Sequence, residues 1–319
     1  MTNKPKTYIA ACMYAFIIGL SFMFVKITLT VASPLDTLAH RFTIALIGAT
    51  LLMKFHNVNL TFNLRDLFQI LPLAIFYPLL FFSLQVFGLV HTSSSEAGVI
   101  QATVPIFTLV LAGVFLKERS TPIQLIFISL SVSGVIYLLF MKGVEAEITN
   151  LIGSGFILLS AIASSMYQVF ARKLTQRFSL LKLTYIMTLI GFLMFNGMAV
   201  SNHMLNGTTK QFFHPFMHLE FILSIAYLGI LSSLVTSYLS NYVLSKIEAS
   251  KMSVFSNLAT LITIIAGVIF LQEELHFYHI IGSIVIIIGV VGTNYFGKPT
   301  KKSNNKLSSV RRSANQQVS

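Results

Sequence analysis

Tryptophan is absent from the 319 residues, cysteine occurs once, and Asp and Glu together number only ten. Each shortage excludes something. A single cysteine permits no disulfide within the chain, and Cys12 falls inside an apolar run, where it is expected to be a small core residue. Charged residues make up 10% of the sequence, against about 25% in ordinary soluble proteins, too few to coat a water-facing surface. The glycine-rich loop ending in Lys-Ser or Lys-Thr that cradles nucleotide phosphates is missing, which argues against an ATP-hydrolysing pump. Carboxylates and histidines fall mostly in loops and at the ends of apolar runs, so little converges as an enzyme's active site would require.

What is present is hydrocarbon: 55% apolar residues, 28 Phe and a mean hydropathy of +0.79. Even burying about three quarters of its unfolded surface, a soluble fold would leave too much of this in water. The remaining class is an integral membrane protein. Apolar runs of spanning length, about 20 residues, fall near Tyr8 to Leu29, Leu35 to Met53, Leu67 to Val90, Ala97 to Leu116 and Ile123 to Met141. Five more follow near Leu151 to Phe170, Leu180 to Val200, Phe221 to Leu244, Ala249 to Leu271 and Tyr278 to Phe296. Only a helix satisfies its own backbone in hydrocarbon, and the runs are too long and too continuous for barrel strands. The fold class is therefore all-α, with ten transmembrane helices. Lys4 and Lys6 ahead of an apolar run resemble the start of a secretory signal, but 22 residues exceed the h-region of about 7 to 15, so the first run is read as a retained span.

The net charge of +12 does not indicate a nucleic-acid partner, because the bases lie between the spans. With the N-terminus inside, 17 of the 22 Lys and Arg fall in inner loops and the tail, and only Lys142 and Lys210 in outer loops. Both termini are expected to be cytoplasmic. The division expected is residues 1–7 as N-terminus, 8–141 as a first five-helix repeat, 142–150 as an extracytoplasmic linker, 151–296 as a second repeat and 297–319 as a basic tail. The repeat is visible in residues. Ala112-Gly113-Val114-Phe115-Leu116-Lys117-Glu118 recurs, with one insertion, as Ala266-Gly267-Val268-Ile269-Phe270-Leu271-Gln272-Glu273. Glu118 and Glu273 stand 155 positions apart, and the same offset carries Gly134 onto Gly289. Five spans is an odd number, so the second copy is expected to insert upside down, the inverted-repeat design of many secondary carriers.

Gly19-Leu20-Ser21-Phe22 with Lys26, then Ser33-Pro34 and Arg41, together with Pro105 to Lys117-Glu118-Arg119, Gly134, Gln272-Glu273-Glu274, Gly282 and Gly289, resembles the EamA-like family of the drug/metabolite transporter superfamily across about residues 8 to 296. The family often has Trp before the first glycine, where this chain has Ile18. The resemblance implies a ten-helix bundle around a central cavity, with spans five and ten peripheral, and an exporter of amino-acid-like, drug-like or other small metabolites working by alternating access. An integral-membrane enzyme or a channel is the alternative. The partners expected are a small-molecule substrate and the lipid bilayer of the cell membrane. A homodimer is compatible with the sequence, and no cofactor or metal is expected.

Candidate site residues follow from the cost of polarity in hydrocarbon. Arg41 lies about 10 Å inside the outer boundary of span two, at 1.5 Å per residue. An intramembrane Arg is costly unless paired or facing water, and its fork suits a carboxylate or phosphate; a structural pair or snorkelling competes with that role. Lys26 at the outer end of span one would add to a cationic vestibule or snorkel. Glu96 offers a proton-carrying carboxylate, against which Ser93-Ser94-Ser95-Glu96 reads as a capping box, as does Ser245-Lys246-Ile247-Glu248. Glu118 and Glu273 read as structural loop carboxylates. Pro78 and Pro105 should kink spans three and four, making Gln85, Gln101 and Asn257 plausible cavity lining, with Tyr238 as an aromatic wall. His203, His214, His218, His276 and His279 are expected to be solvated loop residues.

Overall fold

The structure, a computed structural model, describes residues 4–55, 64–116, 121–145, 148–253, 255–274 and 276–296. Among these residues the chain is helical without strands: α1 (Lys4–Thr28), α2 (Pro34–Phe55), α3 (Arg65–Val90), α4 (Ser94–Leu116), α5 (Pro122–Glu145), α6 (Ile148–Leu174), α7 (Leu180–Leu205), α8 (Leu219–Lys246), α9 (Ala249–Leu271) and α10 (Phe277–Tyr295). Eight of them, α1–α4 and α6–α9, are long and apolar enough to cross a membrane, and α5 and α10 carry shorter apolar stretches, Pro122–Gly134 and Phe277–Gly289. The helices follow the ten apolar runs closely. They also run further than hydropathy suggests: α1 begins at Lys4, and α5 and α6 enter the 142–150 segment from both sides. Glu118, Arg119 and the tail beyond Phe296 lie outside the described residues.

The end of the bundle where α1 starts is the near end, and the opposite end is the far end. Large apolar side chains face outward along the bundle, among them Phe16, Phe68, Val114, Leu205 and Ile269, as a lipid-contacting surface requires. Cys12 is on this outer surface, not in the core. The helical period sets it beside the exposed Ile9, Met13 and Phe16 on one face of α1, a distinction hydropathy alone does not make. Phe42, Phe82 and Phe195 are fully or nearly buried, the Phe42 ring meeting the other two at 5.4 and 5.0 Å between centroids.

Two pairs of helices expose the relation between the halves. α5 and α10 pack antiparallel, with Ser131 Oγ donating to the Ile286 carbonyl at 3.2 Å across a separation of 155 residues. Gly134 backs onto Ile286 and Gly282, and its counterpart Gly289 backs onto Ser131 and Phe127. A Cβ on Gly289 would sit 2.7 Å from the Phe127 carbonyl oxygen, so the helices touch only because both positions lack one. The contact is self-complementary, each residue pair matched by its counterpart, as at a two-fold axis. α2 and α7, also counterparts, likewise cross antiparallel, Asp36 meeting His203 and Ala39 meeting Asn196.

Several helices are interrupted. In α3 the ring of Pro78 removes a backbone donor, Tyr77 is extended (φ −148°, ψ 113°), and the helix kinks within Ile75–Leu80. In α4 the segments Ser94–Gln101 and Val104–Leu116 meet just before Pro105. In α8 the stretch Tyr227–Val235 is a π-turn, although it contains no proline. Residues 230–235 stand 155 positions after 75–80, so corresponding helices open at corresponding depths.

Candidate functional site

Arg41 is wholly buried, with 0% of its surface exposed, and is among the largest such side chains of the described residues. It sits on α2 and points at the opened turn of α8: Nε donates to Ser233 Oγ at 2.7 Å and Nη2 to Ser232 Oγ at 2.8 Å. Those serines are the counterparts of Pro78 and Tyr77 in α3. The approach depends on Gly229, where a Cβ would meet the Arg41 carbonyl oxygen at 2.9 Å and the Ile44 side chain at 2.7 Å. The guanidinium carbon lies 3.9 Å from the centre of the Phe82 ring on α3, within cation–π range. Gln85, one turn further on the same face of α3, is fully buried with both amide atoms unpartnered. Nη1 of Arg41 is also without a partner. No carboxylate pairs with Arg41 among the described residues. A buried cation held by two hydroxyls and a ring, with one edge unsatisfied, is poised to accept an anion.

Aromatic rings surround this cluster. Tyr77 stacks on Tyr167 at 4.5 Å between centroids, and Tyr167 donates to Asn241 Oδ1 at 2.9 Å. Tyr227, in the α8 turn, donates to the Ile17 carbonyl on α1 at 2.8 Å and stacks on Phe24. The first half supplies Arg41, Phe82 and Gln85, and the second supplies the two serines, so the cluster lies between the halves.

The remaining candidates are spread over other places. Lys26 does not snorkel freely: its Nζ donates to the Leu89 and Thr92 carbonyls, both at 2.9 Å, capping the end of α3. It lines a far-end vestibule of about 460 Å³ with Glu96 and Glu273. Ser93 caps α4 by accepting from the Glu96 amide at 3.1 Å, while the Glu96 carboxylate accepts from Ser154 Oγ on α6 at 2.7 Å. Glu273 binds the same helix end, its two oxygens accepting from the Ser94 and Ser95 amides at 2.7 and 2.8 Å. It is presented by Gln272, whose φ of 55° turns the chain back, and by Gly267, where a Cβ would collide with the carboxylate. Gln101 donates to Ser160 Oγ and lines a small central cavity of about 30 Å³ with Tyr14, Ser164 and Ser256, the share of one water. Asn257 is buried with both amide atoms unpartnered. Tyr238, 38% exposed, lines a separate cavity of about 280 Å³ between α2, α7 and α8.

Two expectations are corrected. Ser245 is not the cap of α9, since it lies in the last turn of α8, its hydroxyl donating to the Tyr242 carbonyl at 2.6 Å, and α9 begins only at Ala249. Hydroxyls near a helix end have that local alternative. The histidines are not uniformly solvated: His214, His218 and His276 are exposed, but His203 and His279 are buried. His203 Nε2 lies 2.8 Å from Asp36 Oδ1, a pairing across 167 residues that no local motif announces. No group of three metal-ligating side chains occurs among the described residues.

A polytopic helical bundle with a buried cation between two related halves is the architecture of a membrane transporter. The model of the EamA-like transporter family matches residues 5–140 and 151–295, and the chain belongs to that family. The uncharacterized transporter YcxC of Bacillus subtilis (strain 168) is 56% identical over 301 residues, covering 94% of this chain and 96% of that one. An uncharacterized transporter of Archaeoglobus fulgidus is 28% identical over 281 residues, covering 85% and 92%. A solved crystal structure shares the fold with a TM-score of 0.65 at 15% identity, over 92% of this chain and 98% of that one. The protein is thus a multi-pass membrane transporter, with lipid and a small molecule as its partners.

Proposed function

We propose that the protein is a secondary carrier for a small organic anion, exporting it across the cytoplasmic membrane by alternating access. The observation that carries this reading is Arg41, wholly buried between the halves, with no carboxylate partner among the described residues and Nη1 unsatisfied. A carboxylate or phosphate would complete the guanidinium fork, Gln85 would hydrogen-bond the same ligand, and Phe82 would pack against its apolar part. In this role Lys26 lines the route from the far end, Gln101 and Asn257 supply polar wall deeper in the bundle, and Tyr238 lines a side cavity. The kink in α3 and the π-turn in α8, at corresponding positions, are the irregular backbone expected where a carrier's site lies. The antiparallel counterpart pairs α5–α10 and α2–α7 support an inverted repeat, whose two packings would open the site to one side and then the other. The positive loops support a cytoplasmic near end.

The test compares small molecules accumulated outside cells expressing wild type or Arg41→Met at matched protein levels. A metabolite bearing a carboxylate or phosphate should be enriched with wild type alone. Equal enrichment from a folded Arg41→Met protein overturns the assignment. Saturable counterflow in proteoliposomes, absent from a channel, separates the carrier from that alternative.

A further inference from the structure

We infer that Asp36 and His203 form a proton-binding site at the far end, and that one proton bound there travels with each anion held at Arg41; the coupling rests on the carrier reading above. His203 Nε2 lies 2.8 Å from Asp36 Oδ1 and its Nδ1 lies 2.8 Å from Thr208 Oγ1. Both members are buried, at 6% and 7% exposure, yet they line a vestibule of about 660 Å³ that opens toward the far end and includes Ser33, Asn206 and His214. The pair bridges α2 and α7, the two counterpart helices that cross beside Arg41.

The third partner is what marks the pair as a site that gains and loses a proton. A doubly protonated His203 donates one N–H to Asp36 and the other to Thr208. A neutral His203 keeps its Nε2 proton on Asp36 and accepts at Nδ1 from the Thr208 hydroxyl, which rotates to donate. Neither state leaves a buried polar atom unsatisfied, so no hydrogen bond is lost when the proton leaves. Thr208 lies in the vestibule wall, the side on which the proton leaves with the exported anion.

Charge supplies the coupling. Protonated, the pair is neutral as an imidazolium and a carboxylate. Deprotonated, it carries one negative charge about 7.5 Å along α2 from Arg41, at 1.5 Å per residue. That charge competes with an anionic substrate for the guanidinium, so proton and anion bind together and cross together. The titratable groups facing the pair are His40 on α2, which lies 2.8 Å from the Phe212 carbonyl and feels both members, and His214 in the α7–α8 connection. No Lys or Arg lines the vestibule to replace the proton's charge.

Two measurements test this. The first needs no substrate: ring-15N histidine spectra of the protein in lipid nanodiscs, followed from pH 5 to 8.5, with His203 assigned by its absence in His203→Gln. The His203 ring should lose its charged signature as the pH rises, and Asp36→Asn should displace or abolish the change. A ring that stays in one state throughout overturns the proton site and leaves a structural clamp. The second uses proteoliposomes loaded with a deproteinised extract of the expressing cells and an entrapped pH dye. Wild type should release an anion with alkalinisation of the lumen, both lost in Arg41→Met. Asp36→Asn/His203→Gln, which removes the proton site and its negative charge together, should lower the number of protons moved per anion toward zero. A proton-to-anion ratio unchanged in that double variant, or loss of all release from it, overturns the coupling. Absence of any release by wild type would count against the carrier reading and the coupling together, while the spectra still decide proton binding.

Discussion

Replacing Arg41 with methionine should abolish transport and leave the protein at least as stable as wild type. The magnitude follows from its surroundings. A guanidinium taken out of water pays several kcal/mol. Against this stand two charge-assisted hydrogen bonds to Ser232 and Ser233, about 1.5 to 3 kcal/mol each, and the Phe82 contact, about 2 kcal/mol when desolvated. These terms nearly cancel, with Nη1 still unsatisfied. Methionine fills most of the same volume without charge, and the freed serine hydroxyls can bond back to carbonyls of α8, as Thr236 already does to Ser232. Swaps of buried charge for apolar side chains are often neutral or stabilising by about 1 to 4 kcal/mol, and that range is the expectation. Alanine is a poorer probe, because its cavity alone costs about 2 kcal/mol or more. The assay is unfolding of purified protein in one detergent, by heat or SDS, beside transport at matched expression. A loss of more than about 2 kcal/mol in Arg41→Met would show that the arginine is retained for the fold, and the reasoning from an unpaired charge to a ligand would collapse.

Glu273→Ala should cost about 2 kcal/mol, the scale of a lost charged helix cap, and Gly267→Ala should cost a similar amount by displacing the same carboxylate. The double variant should then be clearly less than additive; additivity within about 0.5 kcal/mol in unfolding measurements refutes the shared mechanism. Glu96→Gln should leave proton-coupled release intact, since its carboxylate accepts from Ser154 at the α4 cap and an amide oxygen can do the same. Loss of coupling in Glu96→Gln with coupling retained in Asp36→Asn/His203→Gln would return the proton to Glu96. A reporter enzyme fused after Phe296 should be active only on the cytoplasmic side, and periplasmic or extracellular activity would reverse the assigned orientation.

The ten helices were legible because spanning length and the exclusion of charge are properties of each run alone. The break at Pro78 was legible for the same reason, a proline having a local and unavoidable effect on its helix. The matching break in α8 was not, because Tyr227–Val235 opens without proline and only comparison with its counterpart in α3 gives it a cause. Arg41 stood out as an isolated charge in hydrocarbon, whereas its serine partners, 191 and 192 residues away, carry no signal that distinguishes them from other small residues of α8. His203 misled for a related reason. Its neighbours in sequence are polar and loop-like, but α2 and α7 cross where they bring Asp36 to it, a long-range pairing that position in the chain does not encode.

The same crossing orders the chemistry along one helix. From the far end inward, α2 carries Asp36 at the vestibule, His40 one turn below it, and Arg41 against the opened turn of α8. Each is held by the second half of the chain: Asp36 by His203, His40 by the Phe212 carbonyl and Arg41 by Ser232 and Ser233. Any repacking of the halves that shifts α2 against α7 and α8 therefore acts on all three contacts at once. Under the proposed proton-coupled carriage, a single helix that holds Asp36, His40 and Arg41 by contacts across the repeat interface would link access, anion binding and proton binding without a relay.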